Sequence, residues 1–329
     1  MCDISIIVAV YNHGKYIKQA IESILKQKFS GTYEVLIGED CSTDNSRDIL
    51  KELEPMLPPC FHIYFRDYNY GAEKNFLDLY AKMQGKYFII LEGDDFWNYK
   101  FKLQKQFDFL EKNDDYIAVA HRVNVVGINS EKISCSYPDC HHNNYRIIDF
   151  INGKMAGQTA SIMSRNYFKF YMFNTDINVG EYKAGDRVKL FLMLSHGKIR
   201  CIQKKWSSYR YVLVGGDSYC STHKCKYDEF VPYYKGIYEY SCDENISNKI
   251  KQVSEYMYLW ELFKSYMKGK NNNYKNEMLR IAKLSNNKMG IFLFFLYKIA
   301  RFPITYITTS INNYQSNKIK KIQALNINE

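Results

Sequence analysis

Residues 87–97 read YFIILEGDDFW: five residues, Tyr87 to Leu91, form an apolar run that passes directly into Glu92-Gly93-Asp94-Asp95. An unbroken apolar run of that length is expected of a strand covered on both faces. The glycine among carboxylates marks a tight turn at its end. Moving outward, Phe61–Phe65, Tyr33–Gly38 and the nearly continuous Ile4–Val10 are three more such runs. The segments between them carry apolar residues at helical spacing. Ile17, Ala20, Ile21, Ile24 and Leu25 form one set. Ile49, Leu50 and Leu53 follow the capping side chains Ser42-Thr43-Asp44, and Phe76, Leu77, Tyr80 and Met83 form the third set. Strands alternating with helices predict an α/β fold, Rossmann-like, with a mainly parallel central sheet flanked by helices.

Beyond residue 100 the pattern loosens. A helix around Leu103, Phe107 and Leu110 precedes a strand at Tyr116 to Val126, and residues 127–145 read as a polar loop. Helical and strand fragments alternate to about residue 214. From 245 onward the pattern is helical, with Val253, Tyr256, Met257, Leu259, Trp260 and Phe263 on one broad face and a turn at Asn271-Asn272-Asn273. With 46% hydrophobic residues in 329, the chain can bury a sizeable core in one large or two smaller domains. The expected division is 1–225, made of halves 1–100 and 101–225, followed by a helical C-terminal extension over 226–329.

The formal charge of +10 suits a nucleic-acid binder, a membrane-surface protein or an enzyme for anionic substrates. No arginine-rich run, zinc finger or RNA-binding aromatic signature is present, which argues against nucleic acid. The N-terminal MCDISIIVAVYN lacks the basic n-region of a signal peptide, and nine cysteines then point to a reducing, cytoplasmic setting. Two groups have zinc-ligand residue types: Cys135 with Cys140-His141-His142, and Cys220 with His223 and Cys225. Their four-residue gaps are wider than the common knuckle, so scattered thiols and loop histidines are the favoured reading. His13, His121 and His196 belong to no constellation and read as surface or packing residues.

Residues 290–307, GIFLFFLYKIARFPITYI, are the most apolar stretch. Lys298, Arg301 and Pro303 interrupt it, which disfavours a conventional span. With Lys318, Lys320 and Lys321 following, segment 286–310 suits an in-plane helix on the inner face of an anionic membrane, a peripheral attachment. A core-packed or dimer-forming helix is the alternative.

Open parallel sheets bind ligands beyond the carboxyl ends of their strands. The four predicted ends carry Tyr11-Asn12-His13; Glu39, Asp40, Ser42 and Asp44; Asn69, Gly71, Lys74 and Asn75; and Glu92, Asp94 and Asp95. A nucleoside diphosphate ligand has a use for each group. Paired carboxylates on a Gly-containing turn supply oxygen ligands for Mg²⁺ or Mn²⁺, which also takes phosphate oxygens. A carboxylate such as Asp40 accepts hydrogen bonds from a base or ribose, and Tyr11 packs on a ring. Alone, Asp40 and Asp44 read equally as turn and cap residues, and Asp94-Asp95 as a solvated turn.

In order and spacing, ISIIVAVYN, YEVLIGEDCSTDNS, NYGAEKN and FIILEGDDFW resemble the signature of family 2 glycosyltransferases with the GT-A fold, of the bacterial surface-polysaccharide type. The resemblance covers residues 3–110 and extends more weakly to about 215. It implies that the first two segments, with Val8, Tyr11, Asp40 and Ser42, hold the nucleoside. Gly71, Lys74 and Asn75 would lie near the nucleotide-sugar, Lys74 standing where the family has arginine. Glu92, Gly93 and Asp94 occupy the metal-binding DXD motif. Glu92 replaces its first Asp with a longer side chain, which shifts weight to Asp94 and Asp95 as metal ligands. GEYKAGDRVKLFLMLSHGKI resembles the segment bearing the catalytic carboxylate and aligns Asp186 as general base, with Glu181 as competitor and a helix N-cap as the structural alternative. GQTASIMSRN and KKWSSYRYV resemble acceptor-side segments containing Gln158, Trp206 and Arg210.

The implied activity is inverting, metal-dependent transfer of a hexosyl or N-acetylhexosaminyl group. The donor would be a nucleotide-sugar, a UDP-sugar by the family's commonest habit. The acceptor would be a glycan or lipid-linked saccharide. A nucleotidyltransferase would need a glycine-rich basic loop after the first strand, which VAVYNHGKYI does not supply. A non-catalytic glycan-assembly or binding protein would not need intact Asp94, Asp95 and Asp186.

Overall fold

In a computed structural model that describes residues 2–166, 186–213, 230–242 and 246–327, the chain divides into two compact units. The first comprises 1–174 with 189–212, and the second 175–188 with 213–329. In the first unit, β1 (Ile4–Val10), β2 (Tyr33–Glu39), β3 (Phe61–Phe65) and β4 (Tyr87–Ile90) are joined by α1 (Ile17–Leu25), α2 (Ser46–Leu53) and α3 (Ala72–Lys82). These four strands pair in parallel in the order β3-β2-β1-β4, with Ile6 opposite Val35 and Ile89. The predicted apolar runs are the strands, and Ile6, Val8, Val35, Ile37 and Ile89 are fully buried.

The sheet then becomes mixed. β5 (Phe96–Trp97), β6 (Tyr116–Val126), β7 (Asn144–Tyr145), β8 (Met163–Arg165) and β9 (Lys198–Arg210) extend it as β4-β8-β6-β9-β5, with β7 also on β9. β6 and β9 run parallel, while β8, β5 and β7 pair antiparallel to their neighbours. The result is the GT-A type of α/β fold. Residues 127–145 form a largely irregular loop, as expected, closed by the short β7.

Two buried polar features fix the packing. Near the carboxyl end of β2, a Cβ on Gly38 would stand 2.4 Å from Asn75 Oδ1. Asn75 fills that space and donates from Nδ2 to the Gly38 carbonyl at 2.9 Å, docking α3 on the sheet. Because Arg66 Nε donates to the same Oδ1, the amide is not free to turn aside. Gly38→Ala is therefore expected to destabilise the fold by about 1–3 kcal/mol, the usual cost of overpacking. Urea unfolding checks this, with a midpoint matching the wild type as the contrary result. On α4 (Lys102–Glu111), Lys102 is wholly buried, its Nζ 2.8 Å from Gln106 Oε1 and 4.2 Å from the Trp97 ring centroid. Burial drives its amine well below the usual lysine range.

The second unit is helical over Phe230–Ser241, Asn248–Gly269, Asn272–Leu284 and Lys288–Ile327. Burial on Asn248–Gly269 extends beyond the predicted face, reaching Ser254, Tyr258, Glu261 and Leu262, while Trp260 and Phe263 pack on Phe295. Asn271 caps the next helix by accepting from the Asn273 amide, which realises the expected turn. The last helix runs unbroken through Pro303 for 40 residues. By length and composition it is able to cross a membrane, and only 6% of its most apolar window is buried.

Candidate functional site

Parallel pairing of β1 to β4 places the residues that follow each strand at one edge of the sheet. Backbone and side-chain bonds tie these segments together. The Asp40 amide donates to the Val10 carbonyl at 2.9 Å, and Gly93 to Ala9 at 3.1 Å. Ser42 Oγ accepts from the Asn12 amide at 3.0 Å, and Asn12 Oδ1 from the Thr43 amide at 2.9 Å. Asn12 and Cys41 both have φ of 56°, the left-handed region that asparagine tolerates better than most residues. Gly93 is required where it stands, since a Cβ would meet His13 Nδ1 at 2.6 Å.

The individual residues differ in what they leave available. Val8 is a core side chain, and Tyr11 is 36% exposed at the rim. Asp40 is buried, with Oδ1 accepting from the Tyr70 amide at 2.7 Å. Asp44 holds the turn before α2, accepting from Ser46 and from the Gly14 amide. Burial opposes its ionisation, but those hydrogen bonds outweigh it and keep the carboxyl below the ordinary aspartate range. Gly71, with φ of 78°, turns the chain into α3, whose first turn carries the exposed Lys74. Asn75 is occupied by the packing described above.

At the end of β4, ligand atoms of Glu92, Asp94 and Asp95 lie within 4.8 Å of one another. Asp95 is buried and both its oxygens are used: Gln158 Nε2 donates to Oδ2 at 2.8 Å and the Arg210 amide to Oδ1 at 2.8 Å. Gln158 is held in that orientation because its Oε1 accepts from the Ala160 amide at 2.7 Å, and its Nε2 also reaches Glu92 Oε2 at 3.2 Å. Desolvation, then the charges of Asp94 and Glu92, push the Asp95 carboxyl well above the usual range. Among the described residues, the Asp94 carboxylate accepts no hydrogen bond. Three clustered carboxylates with one left open suit a hard divalent cation bound through oxygen.

A match to the family described as glycosyl transferase family 2 runs over residues 5–172. The chain belongs to that family. Relatives include an uncharacterized Mycobacterium tuberculosis protein, 30% identical over 49% of this chain and 46% of its own length. TuaG of Bacillus subtilis, whose name assigns it to teichuronic acid biosynthesis as a glycosyltransferase, is 36% identical over 32% of this chain and 41% of its own. Each match thus spans less than half of the relative. The structure of Staphylococcus aureus TarS 1–349 in complex with UDP-GlcNAc shares the fold, with a TM-score of 0.62 at 16% identity over 97% of this chain and 90% of that one. The chain therefore carries a family 2 domain with the GT-A fold, and its EGDD turn brings Glu92, Asp94 and Asp95 together.

The remaining residues of interest fall elsewhere. Asp186 is the exposed first residue of α5 (Asp186–His196) and belongs to the second unit. Glu181 and the Cys220, His223 and Cys225 group lie outside the described residues. Cys135, Cys140, His141 and His142 do not assemble a metal site: among the described residues the acidic turn is the one such cluster. His141 and His142 instead approach Asp139 and Asp149 at 4.0 and 3.7 Å. Trp206 stacks on Tyr99 at 5.1 Å between ring centroids. His121 is a fully buried packing residue, and desolvation keeps it neutral.

Proposed function

We propose that the chain is an inverting, metal-dependent transferase that moves a sugar from a UDP-sugar to a glycan or lipid-linked saccharide in surface polysaccharide assembly. The observation that carries this reading is the convergence of four strand-end segments on one sheet edge in a family 2 domain, with the acidic cluster among them. The UDP-GlcNAc complex of TarS and the role in TuaG's name support the donor and the pathway class.

In this reading Tyr11 covers the base, and Asp40 and Ser42 hold the nucleoside beside the backbone of Val8. Lys74 answers the diphosphate charge, while Gly71 and Asn75 shape the loop that presents it. Asp94, assisted by Glu92 on the Gly93 turn, would hold Mn²⁺ or Mg²⁺, which when bound supplies positive charge to the departing diphosphate. Asp95, oriented by Gln158 and the Arg210 amide with a second lone pair left on each oxygen, is the other metal ligand of this reading. Asp186 takes the proton of the acceptor hydroxyl as its oxygen bonds to the anomeric carbon and the bond to the diphosphate breaks. Attack opposite the leaving group inverts that carbon. The test is release of UDP from a set of UDP-sugars with Mn²⁺ and with EDTA. Turnover in Mn²⁺ alone is expected, whereas equal turnover in EDTA would contradict the metal requirement.

We further propose that the last helix, Lys288–Ile327, lies in the plane of an anionic membrane. Phe292, Leu293, Leu296, Ile299, Ile307 and Ile311 are exposed and fall on one side of it, opposite the buried Phe294. Lys318, Lys320 and Lys321 supply positive charge near its end. Leu296→Glu with Ile307→Glu should lower flotation with phosphatidylglycerol vesicles by about tenfold or more. Unchanged flotation would refute the attachment, and flotation equal on phosphatidylcholine would refute the electrostatic part.

A further inference from the structure

Arg210 closes β9 and is 2% exposed. A guanidinium has five N–H donors, and here all five are used. Nε donates to the Asp94 carbonyl at 2.9 Å. One terminal nitrogen donates to the carbonyls of Gly127 and Ile128 at 2.7 and 3.0 Å. The other donates to Gln19 Oε1 and Ser130 Oγ at 2.8 and 3.1 Å. The plane of the group rests on the Tyr16 ring, with Cζ 4.2 Å from its centroid, and the backbone amide of the same residue holds Asp95 Oδ1.

Each of the five acceptors is neutral, so no carboxylate bonded to the guanidinium cancels its charge. Desolvation alone would disfavour a cation there. The full set of hydrogen bonds, the ring beneath and the nearby acidic groups of Asp94, Asp95 and Glu131 oppose that cost without cancelling it, and the guanidinium sits below the ordinary arginine range. No N–H is left to grip a phosphate. The side chain joins three pieces of the fold that are distant in sequence: the acidic turn, the loop Gly127–Ser130 and α1.

We infer that Arg210 is a positioning residue for metal binding: its fork fixes the backbone of the acidic turn and its buried charge reduces repulsion among the three carboxylates, without touching the donor. This rests on the reading that the turn holds a divalent cation. It differs from an acceptor-side or diphosphate-gripping arginine, for which donors would have to remain free.

The test titrates the resting protein with Mn²⁺ in the presence of UDP, reading bound ion from loss of the free-ion electron paramagnetic resonance signal. UDP affinity is measured separately in EDTA. Arg210→Lys keeps the charge and loses the fork, and Mn²⁺ binding should weaken by about tenfold to a hundredfold, the usual consequence of removing support behind a metal ligand. UDP affinity in EDTA should be unchanged. Mn²⁺ binding equal to the wild type would show that the side chain only stabilises the fold, and weaker UDP binding in EDTA would show that it contacts the donor; either result overturns the inference. If Arg210→Lys does not fold, Gln19→Ala removes one distal anchor and leaves Arg210 in place. About threefold weaker Mn²⁺ binding is then expected from one lost hydrogen bond, and wild-type binding would overturn the inference. Failure of the wild type itself to bind Mn²⁺ with UDP would overturn the metal reading instead.

Discussion

Asp94→Ala is expected to lower sugar transfer by about a thousandfold, the scale on which preorganised charge stabilises a departing oxyanion. The loss should appear in kcat more than in the KM for donor, because the cation's charge matters most as the diphosphate leaves. Asp94 has the largest expected effect in the turn because, among the described residues, its carboxylate accepts no hydrogen bond, while Asp95 is held by Gln158 and by the Arg210 amide. Glu92 already shares a hydrogen bond with Gln158, so Glu92→Gln should be milder. Steady-state kinetics over a range of Mn²⁺ concentrations checks the order. Normal activity in Asp94→Ala would move the metal to other residues.

Asp186→Asn should bind donor as the wild type does yet lose transfer by about 10²–10⁴-fold, the range of general-base contributions. The substitution keeps the size and removes the proton acceptor. Asp186 is exposed in the first turn of α5, and the far-ultraviolet circular dichroism should match the wild type. Lost UDP binding in the variant would make Asp186 a donor-site residue, and an unfolded variant would make it a structural cap.

The first hundred residues were legible because each strand there is a short apolar run covered on both faces, a pattern that needs no knowledge of its partners. The same held for the edge they form, since parallel strands must end on one side. In the second half of the sheet β6 (Tyr116–Val126) was legible as a strand, and β9 was not. β9 carries Lys198, Arg200, Lys204, Lys205 and Arg210 and reads as a polar segment, although it pairs along β6 for most of its length. Nothing in SSYRY says that Arg210 turns inward while Lys204 and Lys205 stay exposed. Lys102 and the bond from Gln158 to Asp95 were hidden for the same reason: a buried polar residue is recognised by its partners, and these come from distant segments. The acidic turn was identified from sequence, but the unequal duties of Asp94 and Asp95 became visible only with Gln158 and Arg210 in place.

The central claim is that the turn after β4 holds the diphosphate of a nucleotide-sugar through a divalent cation. Thermal stabilisation by a panel of nucleotide-sugars, with Mn²⁺ and with EDTA, tests it most directly, since a ligand that binds the native state raises the melting temperature by an amount that grows with the logarithm of its concentration over Kd. A UDP-sugar is expected to raise the melting temperature of the wild type in Mn²⁺, to have a much smaller effect in EDTA, and to lose the Mn²⁺-dependent part in Asp94→Ala. Stabilisation of the same size in EDTA, or in Asp94→Ala, would contradict it.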